Sequence, residues 1–189
     1  MEVDTTNQLH PKKALIITWE KFQDHEVIYP YYRLKEEKFD VRIMSNVTGK
    51  FFGIMGTNMD SDYTVDALRD DELFNKFLEE FDFLVIPGGV KALEKLRQEE
   101  QVLKFISQWN DLGKVISSTC HGAQLLISSR IVKGRGLSGY YSIKDDIANA
   151  GANYIDEPFV TDGNLVSSPH YKWMGEWMQE SIRVYNEIQ

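Results

Sequence analysis

Three short apolar runs constrain this chain more than any other feature. Ala14-Leu15-Ile16-Ile17, Phe83-Leu84-Val85-Ile86 and Val115-Ile116 are apolar at consecutive rather than alternate positions. A strand with one wet face alternates, whereas a strand covered on both faces has no need to. Longer stretches with helical spacing lie between them: Phe74, Phe77, Leu78 and Phe81, then Val102, Phe105, Ile106 and Trp109. Strands alternating with helices of this length imply right-handed crossovers, and so an α/β sandwich around a parallel sheet. The chain has 189 residues, and a domain of that order buries roughly 70% of its unfolded surface, enough for a core without staples. Residues 1–11 are polar and aperiodic and read as a loose tail, with 12–189 as a single domain.

The rest of the chain follows the same pattern. Residues 46–66, with Gly49, Gly53 and Gly56, read as a small hairpin excursion. Ala123 to Ser129 is expected as a helix, and Gly134, Gly136 and Gly139 punctuate a turn into a short strand. Lys144 to Ala150 is expected as a helix stopped by Gly151, and Leu165 to Ser167 as a strand. Trp173, Met174, Trp177, Met178 and Ile182 form the core stripe of a C-terminal helix.

Several function classes are disfavoured at this stage. With 21 basic and 29 acidic residues the net charge is −8, the wrong sign for nucleic acid or an anionic membrane as main partner. No apolar run approaches the roughly 18 residues of a spanning helix. The polar amino end lacks the apolar stretch of a signal peptide, so a cytoplasmic location is expected. Gly134 to Gly139 spells G-x-G-x-x-G but neither follows a first strand nor opens a helix, as a dinucleotide fingerprint must. The four histidines show no metal spacing. No cofactor and no metal are expected.

The chemistry points to Cys120, the single cysteine. A lone cysteine is more often a small buried hydrophobe, but this one sits where a strand meets a helix. Ser118-Thr119-Cys120-His121-Gly122 has the small-x-nucleophile-x-Gly form of a nucleophile elbow, whose small flanking residues let a tight turn pass its neighbours. Such a turn projects sulfur above the carboxyl ends of the strands, where open α/β sheets place their sites. A helix N-terminus there is expected to lower the thiol pKa, and the His121 N–H is positioned to steady an oxyanion. Pro87-Gly88-Gly89 closes the preceding strand with glycines that allow close backbone approach. After the first strand, Phe22-Gln23-Asp24-His25-Glu26 starts a helix with Asp24 as its N-cap, and Pro30 is expected to kink the first turn. If Glu26 faces Cys120, a protonated carboxyl can donate a hydrogen bond to sulfur.

Together these motifs resemble the ThiJ/PfpI superfamily, closest to its PfpI branch, over nearly the whole chain from Lys12. The resemblance rests on FQDHEVIYPYYRL (22–34), FLVIPGG (83–89), STCHGAQLL (118–126), DDIANAGAN (145–153) and VTDGNLVSS (160–168). It implies a flavodoxin-like three-layer α/β/α sandwich of the class I glutamine-amidotransferase-like kind. It also implies Cys120 as nucleophile, His121 as its adjacent histidine and Glu26 as the carboxyl on the sulfur. Gly88, Gly89 and His121 become the oxyanion hole, and Glu94 the glutamate that a neighbouring subunit supplies to His121. A homo-oligomer, dimer or larger, with its site near an interface follows. Gln23 stands where many relatives carry a second glutamate, the Gly89–Glu94 segment is one residue longer than usual, and SSPHYKW (167–173) departs from the usual arginine-containing form. The activity implied is conversion of small reactive carbonyls through a hemithioacetal on Cys120, of the glutathione-independent glyoxalase or deglycase type. The alternatives are a peptidase using Cys120 and His121, with a peptide substrate, and a non-enzymatic redox sensor oxidised at Cys120.

Overall fold

The computed structural model describes residues 11–189; residues 1–10 of the expected tail lie outside the described residues. In chain order the elements are β1 (Lys13–Ile17), α1 (Asp24–Glu36), β2 (Asp40–Ser45), β3 (Gly49–Phe52), β4 (Asn58–Ser61), β5 (Tyr63–Thr64), α2 (Asp71–Glu80), β6 (Phe83–Ile86), α3 (Val90–Leu96), α4 (Glu100–Asp111), β7 (Val115–Thr119), α5 (Ala123–Ser128), β8 (Gly136–Leu137), α6 (Lys144–Asn149), β9 (Asn153–Tyr154), β10 (Val160–Asp162), β11 (Leu165–Ser168) and α7 (Met174–Ile188). Seven strands form one sheet in the order β10-β11-β7-β6-β1-β2-β5. Every pairing is parallel except β10 with β11.

The consecutive apolar runs are the middle of this sheet. β6 and β7 are buried at every position, and β1 at all but Lys13. From β1 the chain moves one strand outward to β2, then crosses back to β6 on the other side of β1. Right-handed crossovers in opposite directions put their helices on opposite faces. Accordingly α1 packs with α7, which lies on β7 and β11, while in the other layer α4 contacts both α2 and α5. The central order β11-β7-β6-β1-β2 is the flavodoxin-like one, with its switch point between β1 and β6.

Helices α2 and α4 bury the expected Phe74, Phe77 and Leu78, and Val102, Phe105, Ile106 and Trp109. Among the described residues no helix is long and apolar enough to cross a membrane. Three expectations need correcting. The hairpin is β3 with β4 only, because Tyr63 and Thr64 leave it to pair with β2 in the main sheet. Trp173 precedes α7 as its cap residue rather than joining the stripe. Asp24 does not cap α1, since Gln23 holds that position. Its buried carboxylate instead accepts the N–H groups of Met55 (2.8 Å) and Thr57 (2.9 Å) at the hairpin tip. Burial alone would raise the Asp24 pKa, but those two donors, together with the Thr57 side chain and the Asp24 N–H, outweigh it and hold the carboxyl below its ordinary range. The hairpin is thereby tied to the first turn of α1, two residues from Glu26.

Candidate active site

Three chain segments converge at the carboxyl ends of β1, β6 and β7, where this topology leaves a crevice. From β7 comes the elbow, with Cys120 at φ +56°, a left-handed conformation that a side chain bearing Cβ adopts at a cost. The turn is too tight for any side chain at Gly122. A Cβ there would stand 2.5 Å from the Ile86 carbonyl oxygen and 2.7 Å from Ser118 Oγ. That contact explains the small residues two positions either side of the nucleophile.

His121 does face its neighbour: Nδ1 lies 3.3 Å from Cys120 Sγ. Burial holds the imidazole below its ordinary pKa, so it is neutral near pH 7 and able to accept the thiol proton. From α1 comes Glu26, fully buried. Its Oε2 accepts the Gly88 N–H at 2.6 Å, while Oε1 is buried without a hydrogen-bond partner among the described residues. Burial raises the Glu26 pKa to about 7, against the opposing pull of the Gly88 N–H and the thiol. The carboxyl is therefore largely protonated just below neutrality.

The thiol does not follow the expectation from the helix terminus. Burial pushes the Cys120 pKa up, and an ionised Glu26 pushes it further, against the N–H groups of His121 and Gly89. The dipole loses because α5 is a six-residue helix entered through a 3-10 turn, whereas Cys120 is buried, only 7% exposed. Glu26 and Cys120 thus share a site in which two negative charges repel. Protonating the carboxyl removes the repulsion and leaves sulfur the better placed to carry charge.

The third segment is Gly88-Gly89 after β6. A Cβ on Gly88 would sit 2.4 Å from Glu26 Oε2 and 2.7 Å from Cys120 Cβ, so only glycine lets the pair approach. The Gly88 N–H is spent on Glu26, so of the expected oxyanion set the N–H groups of Gly89 and His121 remain, both acting on the Cys120 sulfur. Gly89 has φ +109°.

A cavity of about 280 Å³ opens over the sulfur, with Gln23, Gly89, His121, Tyr140, His170 and Tyr171 in its wall. Tyr140 stacks on His121 with ring centroids 4.7 Å apart, and its N–H donates to the Cys120 carbonyl at 3.0 Å. The sequence offered no motif for Tyr140 or Tyr171. The available signal was Gly139, whose absent Cβ leaves room for Ala123 and for the Cys120 carbonyl oxygen at 3.4 Å. A larger cavity of about 470 Å³ at Lys13, Glu80 and Asp82 lies at the other end of the sheet, with no nucleophile. Glu94 is not brought to Cys120 within the chain. It is exposed on α3 and lines a separate cavity with Trp19, Glu20 and Lys91.

Comparison with known proteins identifies relatives of this chain. The family model described as "DJ-1/PfpI family" matches residues 12–184. Deglycase PfpI of Pyrococcus furiosus is 40% identical over 172 residues, covering 91% of this chain and 98% of that one. General stress protein 18 of Bacillus subtilis is 33% identical over 158 residues, covering 83% and 88%. The crystal structure of a ThiJ/PfpI domain protein from Brachyspira murdochii superimposes with a TM-score of 0.83, covering 94% of this chain and 99% of that one. At 18% identity it speaks to the fold alone.

Proposed function

The chain belongs to the DJ-1/PfpI family, and from that premise we propose that it is a cysteine-dependent enzyme of the deglycase or glyoxalase type acting on small reactive carbonyls. One observation carries the reading: Cys120 Sγ is flanked by a neutral imidazole 3.3 Å away and by a buried carboxyl of pKa about 7. A thiol alone adds to an aldehyde. Converting the adduct requires a group that can both take and return a proton near neutrality, which is what Glu26 offers. Relatives named deglycases, such as Deglycase PfpI, support the same class.

With methylglyoxal the steps balance without any oxidant. Sulfur attacks the aldehyde carbon as its proton passes to His121 Nδ1, and the resulting oxyanion rests on the Gly89 and His121 N–H groups. His121 returns its proton to that oxygen, completing the hemithioacetal; the Glu26 carboxylate then takes the proton on that carbon and returns it to the neighbouring carbon while the hydroxyl proton passes to the neighbouring oxygen, giving a lactoyl thioester. Water hydrolyses the thioester and restores the thiol; the net change is addition of one water. Peptide hydrolysis asks more, because His121 would need a third group to orient it as a base, and among the described residues its ring hydrogen-bonds only to the sulfur and stacks on the Tyr140 ring.

The test is lactate formation from methylglyoxal without glutathione. Lactate accumulating well beyond one equivalent per chain is expected. Stoichiometric loss of the thiol without lactate contradicts the reading and favours a redox sensor.

In the same reading Glu94 serves the His121 of a neighbouring copy, and the protein works in the cytoplasm as a homo-oligomer. Sedimentation at micromolar concentration is expected to show a dimer or larger. A lone 21.9 kDa species would remove the role assigned to Glu94.

A further inference from the structure

The cavity over Cys120 has a wall without fixed charge. None of the described residues lining it is Lys, Arg, Asp or Glu. His170, in the connection from β11 to α7, belongs to this wall and is built in rather than loose. Its Nδ1 accepts the Lys172 N–H at 3.1 Å, capping the turn Tyr171–Trp173. Its ring lies 4.0 Å from that of Tyr171 and 6.0 Å from that of Tyr140. With Nδ1 occupied as an acceptor, the neutral ring carries its hydrogen on Nε2. Burial, with help from Lys172 and His25, keeps the imidazole below its ordinary pKa. Lys172 does not line the cavity; its ammonium sits over the rings of Tyr141 and Trp173 at 5.8 and 5.2 Å.

We propose that the uncharged wall to which His170 and Tyr171 contribute sets the charge selectivity of this site: no lysine or arginine lines the cavity to neutralise an anionic substrate, so uncharged carbonyl compounds reach Cys120 and carboxylate-bearing ones do not. A carboxylate entering the cavity leaves water and meets no cation, whereas an uncharged carbonyl needs only the donors already present. A guanidinium in place of the imidazole would offer a forked partner to the same carboxylate. The inference names the substrate class of the activity proposed above and rests on the same cavity, but its test does not need that activity.

Because Cys120 is the single cysteine, intact-mass measurement of alkylation reads this site alone. The probes are iodoacetamide and iodoacetate, near-isosteres differing by one negative charge; in both, sulfur displaces iodide. Rates are referred to those of N-acetylcysteine, at about 0.5 M salt so that long-range repulsion by the net charge is screened. The wild type is expected to prefer the amide at least about tenfold more than the free thiol does, a difference of about 1.4 kcal/mol. His170→Arg is expected to bring that preference to within about threefold of the free thiol, and His170→Asn, a short neutral cap, to keep it. If His170→Arg fails to fold, Tyr171→Arg places the cation at a 40% exposed neighbour on the same wall. A wild type with no more preference than the free thiol overturns the proposal. So does a folded arginine variant that keeps the full preference, because Glu26 or the bulk charge would then be its source.

Discussion

Replacing Glu26 with glutamine is expected to make the protein more stable above pH 7 while removing most of its activity. Below pH 4.5, the ordinary value for a glutamate, the carboxyl is protonated in both folded and unfolded chains and its burial carries no ionic penalty. As pH rises the unfolded chain releases its proton first. Folding then holds a proton that the unfolded chain has lost, so stability falls until the folded group also ionises near pH 7. A difference of 7 − 4.5 = 2.5 units corresponds to about 3 kcal/mol. Glutamine keeps an oxygen for the Gly88 N–H and has nothing to titrate. Urea unfolding of the two proteins at about pH 4 and pH 8 should therefore show a loss in the wild type that the variant lacks. Equal pH slopes would mean that Glu26 is not the buried acid described here. Activity should drop at least about 100-fold, the ordinary worth of a positioned acid–base group.

Gly88→Ala is expected to damage the same pair from the other side. Its Cβ would meet Glu26 Oε2 at 2.4 Å, Cys120 Cβ at 2.7 Å and Cys120 Sγ at 3.1 Å. Gly88 is not among the residues at positive φ, so backbone strain plays no part and the effect is steric. Overpacking of this kind costs about 2–3 kcal/mol. Displacing sulfur and carboxyl relative to each other by even a fraction of an ångström should cost roughly 100-fold in kcat/KM. Gly113→Ala is the control: it has φ +70° and open space around it, and it lies far from the elbow. That variant should lose about 1 kcal/mol from backbone strain and no activity. If Gly88→Ala retained full kcat/KM, the close approach of Glu26 and Cys120 would not matter to turnover.

The parts of this molecule legible from sequence are those encoded locally. β1, β6 and β7 are consecutive apolar runs because both their faces are covered, and the elbow shows itself in the small residues that its tight turn demands. β2 shows no consecutive apolar run because its first half alternates, with Val41 and Ile43 buried while Arg42 reaches out to Asp40 and Asp62, and its buried end finishes on the polar Ser45. Asp24 looked like a helix cap because aspartate at a helix start usually is one; its actual partners lie 31 and 33 residues away. The direction of the thiol shift was missed for a related reason. A helix terminus can be read from a motif, but the burial that overrides it depends on how Gly88, Glu26 and Tyr140 close over the sulfur. Tyr140, His170 and Tyr171 join the wall only once two connections meet above β7.

The measurement that bears most directly on Cys120 as the nucleophile is methylglyoxal consumption without glutathione, counted as turnovers per chain, for the wild type beside Cys120→Ser. Serine keeps the elbow and its small side chain but is a far weaker nucleophile at neutral pH. Many turnovers in the wild type, falling at least about 1000-fold in the variant, are expected. A variant that consumes methylglyoxal at the wild-type rate would contradict the assignment of Cys120.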